Sequence, residues 1–167
     1  MEIAVDQIKA LREKTGAGIL ECKNALQESN GDISSAEQIL RDRGVAKVES
    51  KASRETREGV VEAYIHSGNR IGAIIEMNCE TDFVSRTQEF KDLAHQLTMQ
   101  VAAMAPEYLD RSEMPESDLR NPEEICLLQQ PYIRDSSVVI HDLIIELAAR
   151  MGENIRIRRF VRFALGK

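Results

Sequence analysis

The apolar residues of this chain change their spacing once, near residue 58, and this change limits the possible folds more than any other feature. Before it, apolar residues recur every three or four positions, as at Val5, Ile8 and Leu11. After it, apolar and polar residues alternate over residues 61–66. The first spacing is typical of a helix and the second of a strand. We therefore predict a helical unit followed by an α+β core, in which helices pack on a small antiparallel sheet.

Residues 1–44 are predicted to form a small domain of three helices, the first two of which end at glycine-containing turns. In the third helix, Ser34 and Glu37 have the spacing of a capping box, and Gly44 is the expected terminator. The charged residues 45–57 form either a linker or a helical extension, and their pattern does not decide between the two.

Residues 58–167 are predicted to form the α+β core, which starts with a β-hairpin turning at Ser67-Gly68-Asn69-Arg70. The expected order of elements is β-β-α-α-β. After the hairpin come a helix over Ser85–Met104, a short irregular segment over residues 106–126, a helix from Ser136 or Ser137 to Met151, and a strand over Ile155–Leu165.

The charge balance excludes broad electrostatic binding of nucleic acid. The chain has 22 basic and 28 acidic side chains, and residues 58–126 alone carry a net charge of −9. Nucleic-acid binding needs clustered positive charge, so an acidic middle block fits a basic protein partner better. No apolar run approaches a membrane span, and the N-terminus lacks the features of a signal peptide. We expect a cytoplasmic protein that binds neither membranes nor nucleic acid.

Residues that could perform catalysis are sparse and scattered. The three histidines, His66, His95 and His141, stand alone in separate elements, and the cysteines show no metal-ligand spacing. We therefore predict no catalytic site, no metal site and no cofactor. One alternative is a thiol enzyme in which His66 activates Cys79 across the hairpin, since a thiolate nucleophile needs a neighbouring base.

Two segments carry apolar residues in unusual places. Ile19 and Leu20 are adjacent at the start of a helix and point about 100° apart, so a partner could cover one of them. Periodicity alone nevertheless favours a place for both in the three-helix core. Phe83 follows a strand and precedes a helix. It could project beside Asp82, although physical reasoning favours a Phe83 that folds back while Asp82 caps the helix.

Several segments, in the same order along nearly the whole chain, resemble the bacterial elongation factor Ts family. The longest is the seven-residue run Asn78-Cys79-Glu80-Thr81-Asp82-Phe83-Val84. The others are Leu11–Gly18, Cys22–Leu26, Asn30–Arg41, Tyr64–His66, Gln130–Ile133, Gly152–Ile155 and Arg158–Arg162.

The resemblance implies a guanine-nucleotide exchange factor for elongation factor Tu, with a three-helix N-domain like the ubiquitin-associated fold and an α+β core. It implies that Ile19, Leu20 and Lys23 dock on the partner's GTPase domain. It also implies that Thr81, Asp82, Phe83 and Val84 disturb the Mg²⁺ and phosphate region of elongation factor Tu. The implied partner is elongation factor Tu in both its GDP-bound and its nucleotide-free state. Exchange of this kind follows from binding, without an active site or cofactor in this chain.

The chain departs from the family pattern at three places. The pair at 19–20, commonly methionine, is Ile-Leu here, and residues 106–126 are shorter than the helical, basic stretch of bacterial members. One hairpin is present where longer members have a duplicated core, so a homodimer could supply the missing half. The short region also leaves open a paralogue that binds elongation factor Tu as a scaffold or chaperone without promoting exchange.

Overall fold

The computed structural model describes residues 3–167 and has an α+β fold, as predicted. Met1 and Glu2, which the first predicted domain includes, lie outside the described residues. The helices are α1 (Val5–Thr15), α2 (Ile19–Glu28), α3 (Ile33–Glu49), α4 (Asp82–Ser85), α5 (Gln88–Met104), α6 (Pro122–Ile125) and α7 (Ile140–Met151). The strands are β1 (Glu58–Ile65), β2 (Ile71–Cys79), β3 (Pro131–Tyr132), β4 (Asp135–Val139) and β5 (Arg156–Ala164).

Helices α1 to α3 pack around a small core of their own. It contains the buried residues Leu11, Cys22, Ala25, Leu26 and Ala36. Helix α1 ends at Gly16, whose positive φ of 67° closes the last turn, as expected of a glycine at this position.

The start of α3 differs from the prediction because Asp32, and not Ser34, caps the helix. The Asp32 carboxylate accepts a hydrogen bond from the backbone amide of Ser35 at 2.6 Å. Glu37, the expected second member of a capping box, instead accepts one from Lys14 of α1 at 2.7 Å. The ion pair joins two helices, which local sequence patterns do not report.

Gly44 does not end α3, and this prediction is wrong. The helix continues to Glu49, so the first residues of the 45–57 segment are a helical extension. A Cβ atom at Gly44 would lie 3.0 Å from the Cβ of Ala149 in α7. The glycine therefore allows α3 to approach α7 closely, and the next helical turn buries Val48 in the main core.

The main core lies between a three-stranded antiparallel sheet, in the order β1-β2-β5, and helices α5 and α7. Residues of β2 and of both helices fill it, with Ile75, Met77, Phe90, Leu97 and Ile140 completely buried. The predicted hairpin is present, with Ala63 opposite Ile74. The helix predicted over Ser85–Met104 is present as α5, but it begins at Gln88 because Ser85 belongs to α4, and Met104 at its end is exposed.

The outer face of the sheet is apolar and exposed. In β1 the residues that face solvent are Val61, Ala63 and Ile65. The residues on its other face are half-buried, and Val60 and Tyr64 among them pack against the main core. In β5 a bulge leaves Arg158 unpaired, because Met77 pairs with Ile157 and Glu76 with Arg159. The strand predicted over Ile155–Leu165 is present, but its apolar residues do not share one face. Ile157 faces the core, whereas Val161 and Phe163 face solvent.

The region between α5 and α7 contains a hairpin that the sequence did not predict. Ser136 and Ser137 lie in β4, which pairs with β3, so neither caps α7 and the helix begins at Ile140. Its end at Gly152 is as predicted. Residues 106–126 hold a short 3-10 turn at Arg111–Glu113, helix α6 and a single β-bridge between Tyr108 and Cys126.

Candidate functional site

The first predicted site lies on the exposed side of α2. Cys22, Ala25 and Leu26 occupy the inner side of this helix. Ile19 and Leu20 are therefore turned outward, with 62% and 68% of their surface exposed. Lys23, one turn further along, is also exposed, and we call Ile19, Leu20 and Lys23 the α2 patch. The expectation that Ile19 and Leu20 both belong to the three-helix core is wrong.

Polar contacts fix the helix start that carries the α2 patch. Gly18 is the N-cap, and its amide donates a hydrogen bond to the Glu21 carboxylate at 3.2 Å. Lys47 of α3 forms an ion pair with the same carboxylate. The hydrogen bond from Lys47, followed by that from Gly18, lowers the pKa of Glu21, which is therefore ionised at neutral pH. The α2 patch thus lies on a helix start that is tied to α3.

The second predicted site is the turn from β2 into α4, which we call the signature segment (residues 78–84). Phe83 has 79% of its surface exposed, so it projects from the turn. Asp82 is the first residue of α4 and forms an ion pair with Arg86 at 2.8 Å, while Thr81 occupies the N-cap position. The expectation that Phe83 folds back and Asp82 caps the helix is wrong.

The exposed phenylalanine is flanked by buried residues. Val84 and Ser85 follow it into the core, and each has only 7% of its surface exposed. Before it, the Cys79 thiol donates a hydrogen bond to the carbonyl of Thr81 at 3.1 Å. Val84 therefore supports the signature segment from inside, Phe83 is the one exposed residue of the segment, and Asp82 beside it is half-buried.

Cys79 does not have the environment of a nucleophile. It is completely buried, and desolvation raises the pKa of its thiol to about 11. His66 lies at the opposite end of the hairpin, since Glu58 pairs with Cys79 and Ile65 with Gly72. At a rise of about 3.3 Å per residue, the two ends are about 25 Å apart. The thiol-enzyme alternative is therefore wrong.

Within residues 3–167, no three His, Cys, Asp or Glu side chains are close enough together to hold a metal ion. Over the same residues, each helix is too short or too polar to cross a bilayer.

Two features of the surface were not found from the sequence. One is the exposed apolar face of the sheet, which we call the outer-face patch; it consists of Ala63, Ile65, Ile74, Val161, Phe163 and Leu165. Its signal was present in the alternation of β1, but the alternation does not say which set faces inward. The other is a set of hydrogen bonds that the Glu153 carboxylate accepts from the signature segment, for which one sequence carries no signal.

Exposed apolar side chains at the α2 patch and at Phe83 are typical of a protein that acts by binding another protein. A family model described as Elongation factor TS matches residues 44–125. Elongation factor Ts of Thermotoga neapolitana is 47% identical over 195 aligned positions, covering 100% of this chain and 99% of the relative. Those of Carboxydothermus hydrogenoformans and Rippkaea orientalis are 44% and 45% identical, each over 99% of this chain and over 90% and 79% of the relative. The chain belongs to the elongation factor Ts family and is a translation elongation factor.

Proposed function

We propose that this protein is a guanine-nucleotide exchange factor that acts in the cytoplasm on elongation factor Tu and promotes release of GDP. The observation that carries the proposal is Phe83, an aromatic side chain with 79% of its surface exposed beside the carboxylate of Asp82. Burying a large aromatic side chain in a partner is favourable, and Phe83 is available for this because it stays exposed when the chain folds. Family membership supports elongation factor Tu as the partner.

The proposed mechanism requires no bond to be made or broken by this chain. In a GTPase, Mg²⁺ and a backbone cradle hold the nucleotide phosphates. Phe83 inserted between elements of the partner, with Asp82 placed near the metal site, would weaken both contacts. The factor then binds the nucleotide-free partner more tightly than the GDP-bound one. By thermodynamic reciprocity it lowers the affinity of the partner for GDP.

The α2 patch is proposed as the docking surface for the partner's GTPase domain. Ile19 and Leu20 supply apolar area, and Lys23 supplies a positive charge on the same side of the helix. We expect Ile19→Asp to weaken binding of elongation factor Tu, as measured by calorimetry, without loss of helix content. Val5→Asp is a matched control, because Val5 on α1 is similarly exposed, at 65%. Equal binding by both variants and the wild type would contradict this role.

The direct test is release of a fluorescent GDP analogue from elongation factor Tu, followed by stopped-flow with increasing amounts of this protein. We expect the release rate to rise and then saturate. A complex that forms without any acceleration would favour the alternative, a scaffold or chaperone-like partner. Absence of a complex would contradict both functions.

We further propose that two copies associate through the outer-face patch. The patch is formed in cross-strand rows, with Ala63, Ile74 and Val161 in one row, and the Glu76–Arg159 ion pair of 2.8 Å borders it. Two-fold pairing of this surface would bury the apolar side chains and place acid and base near their opposites. We expect sedimentation velocity to show a dimer that Phe163→Lys dissociates and Leu119→Lys, at an exposed loop position, does not. A wild-type monomer at high micromolar concentration would contradict the dimer.

A further inference from the structure

Phe83 has few contacts that could fix its direction. About four-fifths of its surface is exposed, and α4, which carries it, has only four residues. The direction of the side chain therefore depends on the backbone that enters α4. That backbone runs through Glu80 and Thr81 at the end of the signature segment. A side chain that inserts into a specific site on a partner binds best when the backbone that carries it is already ordered before binding.

Glu153, in the turn between α7 and β5, holds this backbone. One oxygen of its carboxylate accepts hydrogen bonds from the backbone amides of Glu80 and Thr81, each at 3.0 Å. The other oxygen accepts a hydrogen bond from the hydroxyl of Thr81. Thr81 occupies the N-cap position of α4, but its hydroxyl binds Glu153 and makes no cap hydrogen bond. Three donors of Glu80 and Thr81 thus converge on one carboxylate, 72 or 73 residues away in sequence.

The contact is reciprocal. The Glu80 carboxylate accepts a hydrogen bond from the backbone amide of Asn154 at 2.7 Å and one from Arg54 at 3.3 Å. We call the paired Glu80 and Glu153 contacts the carboxylate clasp. Hydrogen bonds that involve a charged group are stronger than neutral ones, so the clasp is a firm connection between the two turns.

The same turn also reaches the segment that follows α3. The side-chain amide of Asn154, which is almost fully buried, donates hydrogen bonds to the carbonyls of Ala52 and Arg54 at 3.2 and 2.9 Å. Lys51 in turn donates to the carbonyl of Gly152. One turn therefore connects the helical unit with the α2 patch to the segment that presents Phe83.

We propose that Glu153 is a positioning residue for nucleotide exchange, which sets the direction of Phe83 through the backbone of Glu80 and Thr81. This inference rests on the proposed function, because it concerns how the exchange element is presented. The hydrogen bonds of Glu153 involve Glu80 and Thr81 and no residue of the α2 patch. Loss of Glu153 should therefore lower the maximal exchange rate more than it lowers affinity for the partner.

The test compares Glu153→Ala with the wild type in stopped-flow GDP release from elongation factor Tu. We expect a maximal rate lower by about ten-fold, since small misplacements of a reacting group have large effects, and a half-saturating concentration within about two-fold. Glu153→Gln retains a carbonyl oxygen for the two amides and should restore most of the rate. Glu146→Ala, on the exposed side of α7, is the matched control and should behave as the wild type.

A double-mutant cycle with Phe83→Ala shows whether Glu153 acts through Phe83. In that background we expect Glu153→Ala to change the rate by less than two-fold. In the free protein, NMR-detected hydrogen exchange at the Glu80 and Thr81 amides should become at least ten-fold faster in Glu153→Ala. That measurement needs no partner and tests the clasp itself.

Three results would overturn the inference. They are an unchanged maximal rate in Glu153→Ala, full additivity with Phe83→Ala, and unchanged exchange of the two amides. If Phe83→Ala lowers the rate and Glu153→Ala does not, the positioning role fails and the proposed function stands. If Phe83→Ala promotes GDP release from elongation factor Tu as fast as the wild type, the proposed role of Phe83 fails and the positioning role fails with it.

Discussion

The close approach of α3 to α7 leads to an unusual prediction for Gly44→Ala. In most helices this substitution stabilises the protein by about 0.5–1 kcal/mol, because glycine lowers helix propensity. Here the new Cβ would lie 3.0 Å from the Cβ of Ala149, whereas carbon atoms in good contact are about 3.5–4.0 Å apart. The two helices would have to move apart by a few tenths of an ångström at their crossing.

The magnitude follows from two opposing effects. Forcing an extra methyl group into a packed site costs about 1–3 kcal/mol, and the gain in helix propensity offsets about 1 kcal/mol of this. We therefore expect Gly44→Ala to lower the free energy of unfolding by about 1 kcal/mol. Ala149→Gly removes the opposing methyl group. The free energy of unfolding of the double variant should therefore be about 2 kcal/mol higher than the value expected from adding the two single changes.

Urea unfolding followed by circular dichroism at 222 nm measures both quantities, with equal m-values as the check that the comparison is valid. If Gly44→Ala raises the free energy of unfolding, or if the two effects simply add, the reasoning is refuted. The crossing matters for function, because it fixes the helices that carry the α2 patch against the core that presents Phe83.

Three further predictions concern the site. Phe83→Ala should lower the free energy of unfolding by less than about 1 kcal/mol, against about 3–5 kcal/mol for the buried Phe90→Ala; similar losses by urea unfolding would contradict the exposure of Phe83. Cys79 should react with iodoacetamide, as measured by mass spectrometry, no faster than the protein unfolds, and rapid labelling of the native state would refute its burial. The hydrogen bond from Asn154 and the nearby Arg54 lower the pKa of Glu80 from its ordinary value of 4.5. The stability that Glu80 contributes is thus present above that pH and is lost on acidification, so Glu80→Gln should weaken the dependence of stability on pH below about 5; an unchanged pH profile would contradict this.

Local patterns predicted the elements whose ends are set by neighbouring residues. The turn at Gly16, the end of α7 at Gly152 and the hairpin of β1 and β2 all follow from glycine conformation and from alternation over a few residues. Family resemblance, in turn, pointed to Ile19, Leu20 and Phe83, whose exposure neither periodicity nor capping rules had favoured.

Several of the errors occurred where distant residues decide the structure. Gly44 has the position of a helix terminator, yet its role is to accommodate Ala149, more than a hundred residues away. The bulge at Arg158 reverses which side of β5 faces the core, because the pairing with β2 shifts by one residue there. Glu153 has no local feature that marks it as a partner of Thr81. A single sequence shows spacing along the chain but not these tertiary contacts.

The central claim is that Phe83 carries the exchange activity, and the most direct test is the rate of GDP release from elongation factor Tu at saturating wild-type protein and at saturating Phe83→Ala. We expect the wild type to accelerate release and the variant to lose most of that acceleration while it still binds the partner. A variant that binds and accelerates release as fast as the wild type would contradict the account.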